Sequence, residues 1–287
     1  MNNLQNEFNR AAEIIAGADA LVIGAGAGMG VDSGLPDFRG RGGFWRAYPA
    51  LAKAQLEFAT VANPRTFENN PALAWGFYGH RLSLYRKTVP HAGFGILHKW
   101  SGQFALGSWI FTSNVDGQFQ MAGFSQSNIH ECHGSIHHLQ CTENCSAGVW
   151  NADEFEPVVN QETCQLANDP PLCRVCGSLA RPNVMMFSDW NWVNERTRLQ
   201  RDRESRWLDG VSNCKGKVVI VEIGAGTSIP SVRHYSHFLV REFGARIVRI
   251  NTRESPVHST MDVALAVGAL EGLTGIDAAL KLLTDAS

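Results

Sequence analysis

The chain has 287 residues, 44% of them hydrophobic and 18% charged, with a formal net charge of −2. That length can bury a sizeable core in one large domain or two smaller ones, while the charge balance excludes an electrostatic footprint for nucleic acid or a membrane surface. No stretch approaches about 18 uninterrupted apolar residues, so nothing in the sequence spans a bilayer.

The N-terminal run MNNLQNEFNRAAEIIAGADA carries acidic residues and helical spacing, not a basic region followed by an apolar block, and does not read as a signal peptide. Within it, residues 4–16 suit an amphipathic helix with Leu4, Phe8, Ala11, Ala12 and Ile15 on one face. Short, nearly continuous apolar runs follow at 20–24, 108–113, 218–224, 246–251 and 262–267. Such runs suit parallel strands covered on both faces. Helical stretches at 231–243 and 269–284 complete an alternating pattern, so the expected fold is α/β, a doubly wound Rossmann-like parallel sheet. Two segments break the rhythm. Residues 41–87 have helical periodicity and aromatics but no strand, and residues 137–182 carry cysteines and prolines with little periodicity. Both read as insertions forming a smaller module, leaving 1–40, 88–136 and 183–287 to the sheet domain.

The stretch ALVIGAGAGMGVDSGLPDFRG (20–40) runs from a strand into Gly24, Gly26, Gly28 and Gly30. The dinucleotide fingerprint requires glycines at the first, third and sixth positions. Counted from Gly24, Gly26 or Gly28, the sixth position is Met29, Val31 or Ser33, so the pattern fails in each frame. Pro36 follows closely, so any helix starting near Gly28 is short. Glycines after a buried strand still let backbone N–H groups approach a phosphate, and Asp37, Phe38 and Arg39 follow directly behind them.

This stretch resembles the NAD-binding signature of sirtuins. Further segments agree in chain order: TSNVDGQFQMAG (112–123), CHGS (132–135), RPNVMMFSD (181–189) and GAGTSI (224–229). The resemblance runs from about residue 20 to 270. It implies NAD as a co-substrate cleaved at its nicotinamide bond, with Gly26, Ala27, Gly28, Asp37, Phe38, Arg39, Ser113, Gly226, Thr227, Ser228 and Asn251 on the cofactor. It places Asn114 on the reacting ribose or a water, and Asp116 in the nicotinamide pocket. A carboxylate there stabilises the positive charge that the ribose develops as nicotinamide departs. The H-G match selects His133, among neighbours His130, His137 and His138, as the base that takes a ribose hydroxyl proton. Val184 and Phe187 lie on the substrate-pairing strand. The implied activity is a protein-lysine deacylase that releases nicotinamide and O-acyl-ADP-ribose. A mono-ADP-ribosyltransferase or NAD glycohydrolase is the alternative, and a non-catalytic NAD sensor a third.

The cysteines number seven, an odd count that favours a reducing, cytoplasmic setting and metal over disulfides. Cys141 and Cys145 form one pair; Cys173 and Cys176, followed by Gly177, form a second that fits a zinc knuckle. Four thiolates leave no open position for a catalytic water, so the expected Zn²⁺ is structural. Cys164 lies between the pairs as a substitute ligand, and Cys132 and Cys214 read as buried small hydrophobes.

The chain departs from the family pattern at Gly30, where serine is usual, at Ser113 for glutamine, at Phe119 for histidine, and at Ser188-Asp189 for glycine and glutamate. On the helical insertion, Tyr78 and Arg81 project from one face. They resemble the Y-x-x-R of class III, bacterial-type sirtuins that remove succinyl, malonyl or glutaryl groups. A phenol beside a guanidinium can bind a carboxylate. The partners expected are acylated-lysine proteins, with neither nucleic acid nor membrane.

Overall fold

The computed structural model describes residues 2–37 and 40–285. In chain order the strands are β1 Ala20–Ala25, β2 Ser108–Thr112, β3 Ile129–Glu131, β4 Gly134–Cys141, β5 Val149–Asn151, β6 Val159–Asn160, β7 Gln165–Leu166, β8 Ala180–Val184, β9 Val218–Ile223, β10 Arg246–Ile250 and β11 Val263–Leu265. Six of them form one parallel sheet in the order β11-β10-β9-β1-β2-β3. Each residue of β1 and β9 is buried, as a strand covered on both faces requires. Leu21 and Ile23 of β1 face one core, with Phe8, Phe94, Trp100 and Ile276 from helices Asn2–Ala16, Ala92–Ser101 and Ala269–Asp285. Ala20 and Val22 face the other, with Leu208 and Leu239 from helices Glu195–Asn213 and Ser231–Phe243. The doubly wound architecture is therefore as the periodicity predicts.

The chain runs outward from β1 through β2 and β3 on one side, and through β9, β10 and β11 on the other. The strand order reverses between β1 and β9, and open α/β sheets bind ligands beyond the carboxyl ends at that crevice.

Two elements of the sheet have no counterpart in the hydrophobic pattern. β3 is short and reads Ile-His-Glu, and helix Glu195–Asn213 is strongly polar. Their polar side chains are buried against one another: His130 Nδ1 lies 2.7 Å from Glu204 Oε2, and Arg196 Nη2 donates to Glu131 Oε2 at 2.5 Å. Polar pairs replace apolar contact here, so periodicity gives no signal. Leu4, expected on the buried face of the first helix, is 36% exposed at its open start.

A second core of Phe44, Leu51, Phe67, Trp75, Phe77 and Tyr78 joins the helices within 40–87 to the antiparallel sheet β5-β4-β8. Helix Pro71–Lys87 starts with proline at its first turn, capped by Asn70, whose Oδ1 accepts from the Leu73 N–H at 3.1 Å. A Cβ on Gly76 would lie 2.1 Å from the Cys164 carbonyl, so glycine lets this helix rest directly on the β6–β7 hairpin. The cysteine-bearing segment 137–182, poorly periodic in sequence, thus contains β5, β6 and β7 and parts of β4 and β8; pairs of two or three residues are too short to register as alternation. Cys214 is exposed just past helix Glu195–Asn213 and Cys132 is half-buried, contrary to the expectation of two core thiols. Among the described residues, no helix is long and apolar enough to cross a membrane.

Candidate active site

At the crevice, the Gly26 N–H donates to the Ile223 carbonyl at 2.9 Å and the Gly28 N–H to the Gly224 carbonyl at 3.0 Å. A Cβ on Gly26 or Gly28 would lie 2.7 or 2.6 Å from the Gly224–Ala225 backbone. Glycine is required because the two loops pack main chain against main chain, with Gly224 itself at a φ of 61°. Beyond Gly26 the backbone makes only a 3₁₀ helix, Ala27–Ser33, closed by Gly34 in the left-handed region. The short element expected before Pro36 is there.

A cleft of about 910 Å³ opens over these loops. Gly26, Ala27, Asp37, Ser113, Asn114, Asp116, His133, Gly226 and Ser228 all line it. Phe38 and Arg39 lie outside the described residues. Gly28, Thr227 and Asn251 do not line the cleft. Gly28 packs on Gly224. The Thr227 N–H donates to Glu254 Oε2 at 2.7 Å. Asn251 is buried, donating to the Ala225 carbonyl at 2.8 Å and accepting from the Arg253 and Glu254 N–H groups at 3.1 Å each. Those bonds make Asn251 a clasp between loops. Glu254, which does line the cleft, carries no motif signal in the sequence.

Asn114 follows β2, and its Nδ2 donates to the Gly26 carbonyl at 3.0 Å, while its N–H donates to Thr112 Oγ1 at 3.0 Å. Asp116 is buried, and its Oδ1 accepts from the Gln118 N–H at 2.9 Å. Burial raises its pKa to about 6, opposed by that N–H and by the charge of Arg81. His133, at the turn between β3 and β4, has Nε2 2.9 Å from Ser231 Oγ. Burial lowers its pKa below the usual 6.5, with the Ser113 backbone pulling the other way. The imidazole is therefore neutral at physiological pH and able to accept a proton.

The facing wall comes from the second core. Tyr78, Arg81 and Tyr85 of helix Pro71–Lys87 line the cleft, although Tyr78 and Arg81 are only 1% and 8% exposed. Arg81 Nε and Nη2 donate to Tyr85 Oη at 2.9 and 2.7 Å. Its guanidinium stands 5.3 Å from the Phe77 and Tyr85 ring centroids and 5.9 Å from that of Tyr78, within cation–π range. Tyr85, one turn past Arg81, escaped the sequence reading, which stopped at the Y-x-x-R spacing.

The rim carries Val184 to Phe187. The Met185 N–H donates to the His133 carbonyl at 2.9 Å and the Phe187 N–H to the Ala62 carbonyl at 3.0 Å, tying this segment to both walls. Beneath it, buried Arg181 donates bidentately to Asp189 at 2.7 and 2.8 Å. Asp189, in place of the usual glutamate, thus reaches Arg181, three residues before Val184, with both oxygens. Phe119 is 2% exposed and packs on Phe94 and Phe124 at 5.0 and 5.3 Å, inside the sheet core and away from the cleft. At Gly30 a Cβ would sit 3.0 Å from Leu35 Cδ1, in space the leucine fills.

Away from the cleft, the sulfurs of Cys141, Cys145, Cys173 and Cys176 lie within 4.8 Å of one another. Cys141 faces Cys176 and Cys145 faces Cys173 at 3.5 Å, too far for disulfides. Tetrahedral Zn–S bonds of about 2.3 Å place sulfurs about 3.8 Å apart, so the cluster fits Zn²⁺ with little adjustment. The Gly177 N–H donates to the Cys173 carbonyl at 2.9 Å at a φ of 75°, forming the tight turn a knuckle needs. Cys164 is outside the cluster, buried against helix Pro71–Lys87. Four thiolates would hold the metal as a structural cross-link from the end of β4 to the loop before β8.

A sequence model described as the Sir2 family matches residues 26–205. Over 254 residues the chain is 30% identical to an NAD-dependent protein deacylase of Aquifex aeolicus, covering 88% of this chain and 92% of that protein. It is 31% identical over 252 residues to NAD-dependent protein deacylase 2 of Pyrobaculum aerophilum, covering 88% and 87%. Among solved structures, an ADP-ribose complex of a mutant Sir2 homologue superposes with a TM-score of 0.69 at 25% identity, over 96% of this chain and 97% of that one.

Proposed function

This chain belongs to the Sir2 family, and on that premise we propose that its cleft performs NAD-dependent deacylation of protein lysines. The observation that carries this reading is the convergence of Asn114, Asp116 and His133, from two separate stretches, over the glycine loops at the strand-order reversal. In the proposed sequence the acyl oxygen attacks the ribose anomeric carbon of NAD and nicotinamide leaves. Asp116, ionised above about pH 6, stabilises the positive charge developing on the ribose. Asn114, its amide fixed on the Gly26 carbonyl, orients the ribose or a water. His133 accepts the proton of a ribose hydroxyl as that oxygen attacks the imidate carbon; the protonated lysine amine then leaves, and water adds to the cyclic acyloxonium, which opens to O-acyl-ADP-ribose. Zn²⁺, which the four cysteines would hold, would supply folding energy and no step of the reaction.

For the acyl group, the reading is a carboxylate-bearing chain such as succinyl or malonyl, accepted at least as well as acetyl. Its support is Arg81 at the cleft, with a phenol on either side in sequence and a charged fork suited to a carboxylate.

The test is mass spectrometry of products from NAD and a panel of acetyl-, malonyl- and succinyl-lysine peptides. Nicotinamide with O-acyl-ADP-ribose is expected. In His133→Ala, acyl removal disappears while NAD binding survives, because the base acts after the cofactor is seated. Free ADP-ribose or an ADP-ribosylated protein as the main product would instead make this a glycohydrolase or a transferase.

A further inference from the structure

Ser231 is the first residue of helix Ser231–Phe243 and lines the cleft. The position that caps this helix, Pro230, supplies no side-chain hydrogen bond, and the Ser231 hydroxyl is directed at His133 Nε2, 2.9 Å away. The contact ties the imidazole, at the turn between β3 and β4, to the start of that helix, and both groups line the cleft.

We propose that Ser231 is a positioning residue for His133, holding the imidazole in place at the cleft through the hydrogen bond between its hydroxyl and Nε2. The inference rests on His133 being the base. A hydroxyl suits the task because it both donates and accepts. It donates to Nε2 when that nitrogen is bare and accepts from it when it carries a proton. The same contact then serves both protonation states without displacing a heavy atom. No single motif contains the pair, since the two residues are 98 positions apart.

Two assays on the full chain separate this role from mere packing. Exchange of labelled nicotinamide into NAD, with an acylated peptide present, reports the step before the base acts; release of free lysine peptide reports the step that needs it. Ser231→Ala is expected to slow acyl removal about 10-fold, below the roughly 10²–10⁴-fold typical of losing the base itself, with nicotinamide exchange unchanged. Ser231→Thr keeps the hydroxyl and restores acyl removal to within about threefold of the parent. Equal slowing of both assays by Ser231→Ala, or an alanine and a threonine variant equally slow in acyl removal, would assign Ser231 to helix packing and overturn the proposal. His133→Ala distinguishes the levels. If it stops acyl removal while Ser231→Ala behaves as the parent, only the role of Ser231 falls. If His133→Ala still removes acyl groups, the assignment of the base falls first.

Discussion

On the sheet side of the cleft, Gly26, Ser113 and Asn114 sit at the ends of parallel strands, where ladder hydrogen bonds fix the main chain. On the facing side, Tyr78, Arg81 and Tyr85 project from a helix that no sheet ladder holds; it is located by the packing of its Phe77 and Tyr78 on Phe44 and Phe67 and by its seat on the β6–β7 hairpin. The sheet side presents backbone groups and short polar side chains. The other presents a boxed cation and large rings. A cofactor common to a whole family suits a surface fixed by main chain, whereas an acyl group that varies suits one built from side chains, which change by single substitutions. Damage to the cysteine cluster should therefore loosen the aromatic wall first and leave the glycine loops in place.

The largest effect expected is loss of the metal. Cys173→Ala or Cys176→Ala should each lose about one zinc per chain and lower the melting temperature by on the order of 10 °C. Hydrogen exchange should quicken in residues of the second core while β1 and β9 stay protected. Protein purified without chelator and found by metal analysis to contain no zinc would remove the basis of this contrast.

Next is the buried pair beneath the rim. Asp189→Asn leaves Arg181 charged and unpaired at 2% exposure, which costs roughly 3–5 kcal/mol, measurable by chemical denaturation. Because the Asp189 carboxylate also accepts from the Met186 N–H at 3.2 Å, KM for the acyl-lysine peptide should rise more than KM for NAD. Equal changes in the two constants would detach the rim from substrate binding.

Asp116 sharpens the comparison from the sheet side. Burial raises its pKa from the usual 3.8 to about 6, so the folded chain retains a proton that the unfolded chain releases between about pH 4 and 6. The folded state is therefore favoured below about pH 4 and loses roughly 3 kcal/mol as pH rises through about 6. Asp116→Asn should be more stable than the parent at pH 7 and above, by calorimetry, while nicotinamide release falls about 10²–10³-fold. In the parent, nicotinamide release should decline as pH falls through about 6. A variant no more stable at pH 7 would show that the carboxylate is solvated in solution.

The smallest effect belongs to the acyl end. Arg81→Met should weaken binding of a succinyl-lysine peptide by about 1.5–3 kcal/mol, the range for a hydrogen bond to a charged group, with little change for acetyl-lysine. Isothermal titration against both peptides decides it, and equal losses would make Arg81 part of the scaffold.

Particular residues show how far reading along the chain could go. The apolar runs that became β1, β9 and β10 were legible because burial on both faces demands continuous hydrophobicity. The cysteine pairs were legible because a knuckle is local. β3 and helix Glu195–Asn213 were not, since His130, Glu131 and Glu204 look like surface residues until their partners are known. Phe119 read only as a departure from the family's histidine; the structure shows it filling the sheet core beside Phe94.

By itself the sequence determined the parallel sheet, the glycine loops that bring two strands' ends together, the thiolates for a metal and the segments that resemble the family's. Only the tertiary structure decided which polar groups meet. It set Ser231 against His133, Tyr85 against Arg81 and Asp189 against Arg181, and it turned Asn251 inward as a clasp between loops. The physical reason is range. Periodicity and glycine spacing record constraints within a few residues, whereas most of these contacts join distant stretches or depend on which helix face the packing turns toward the cleft.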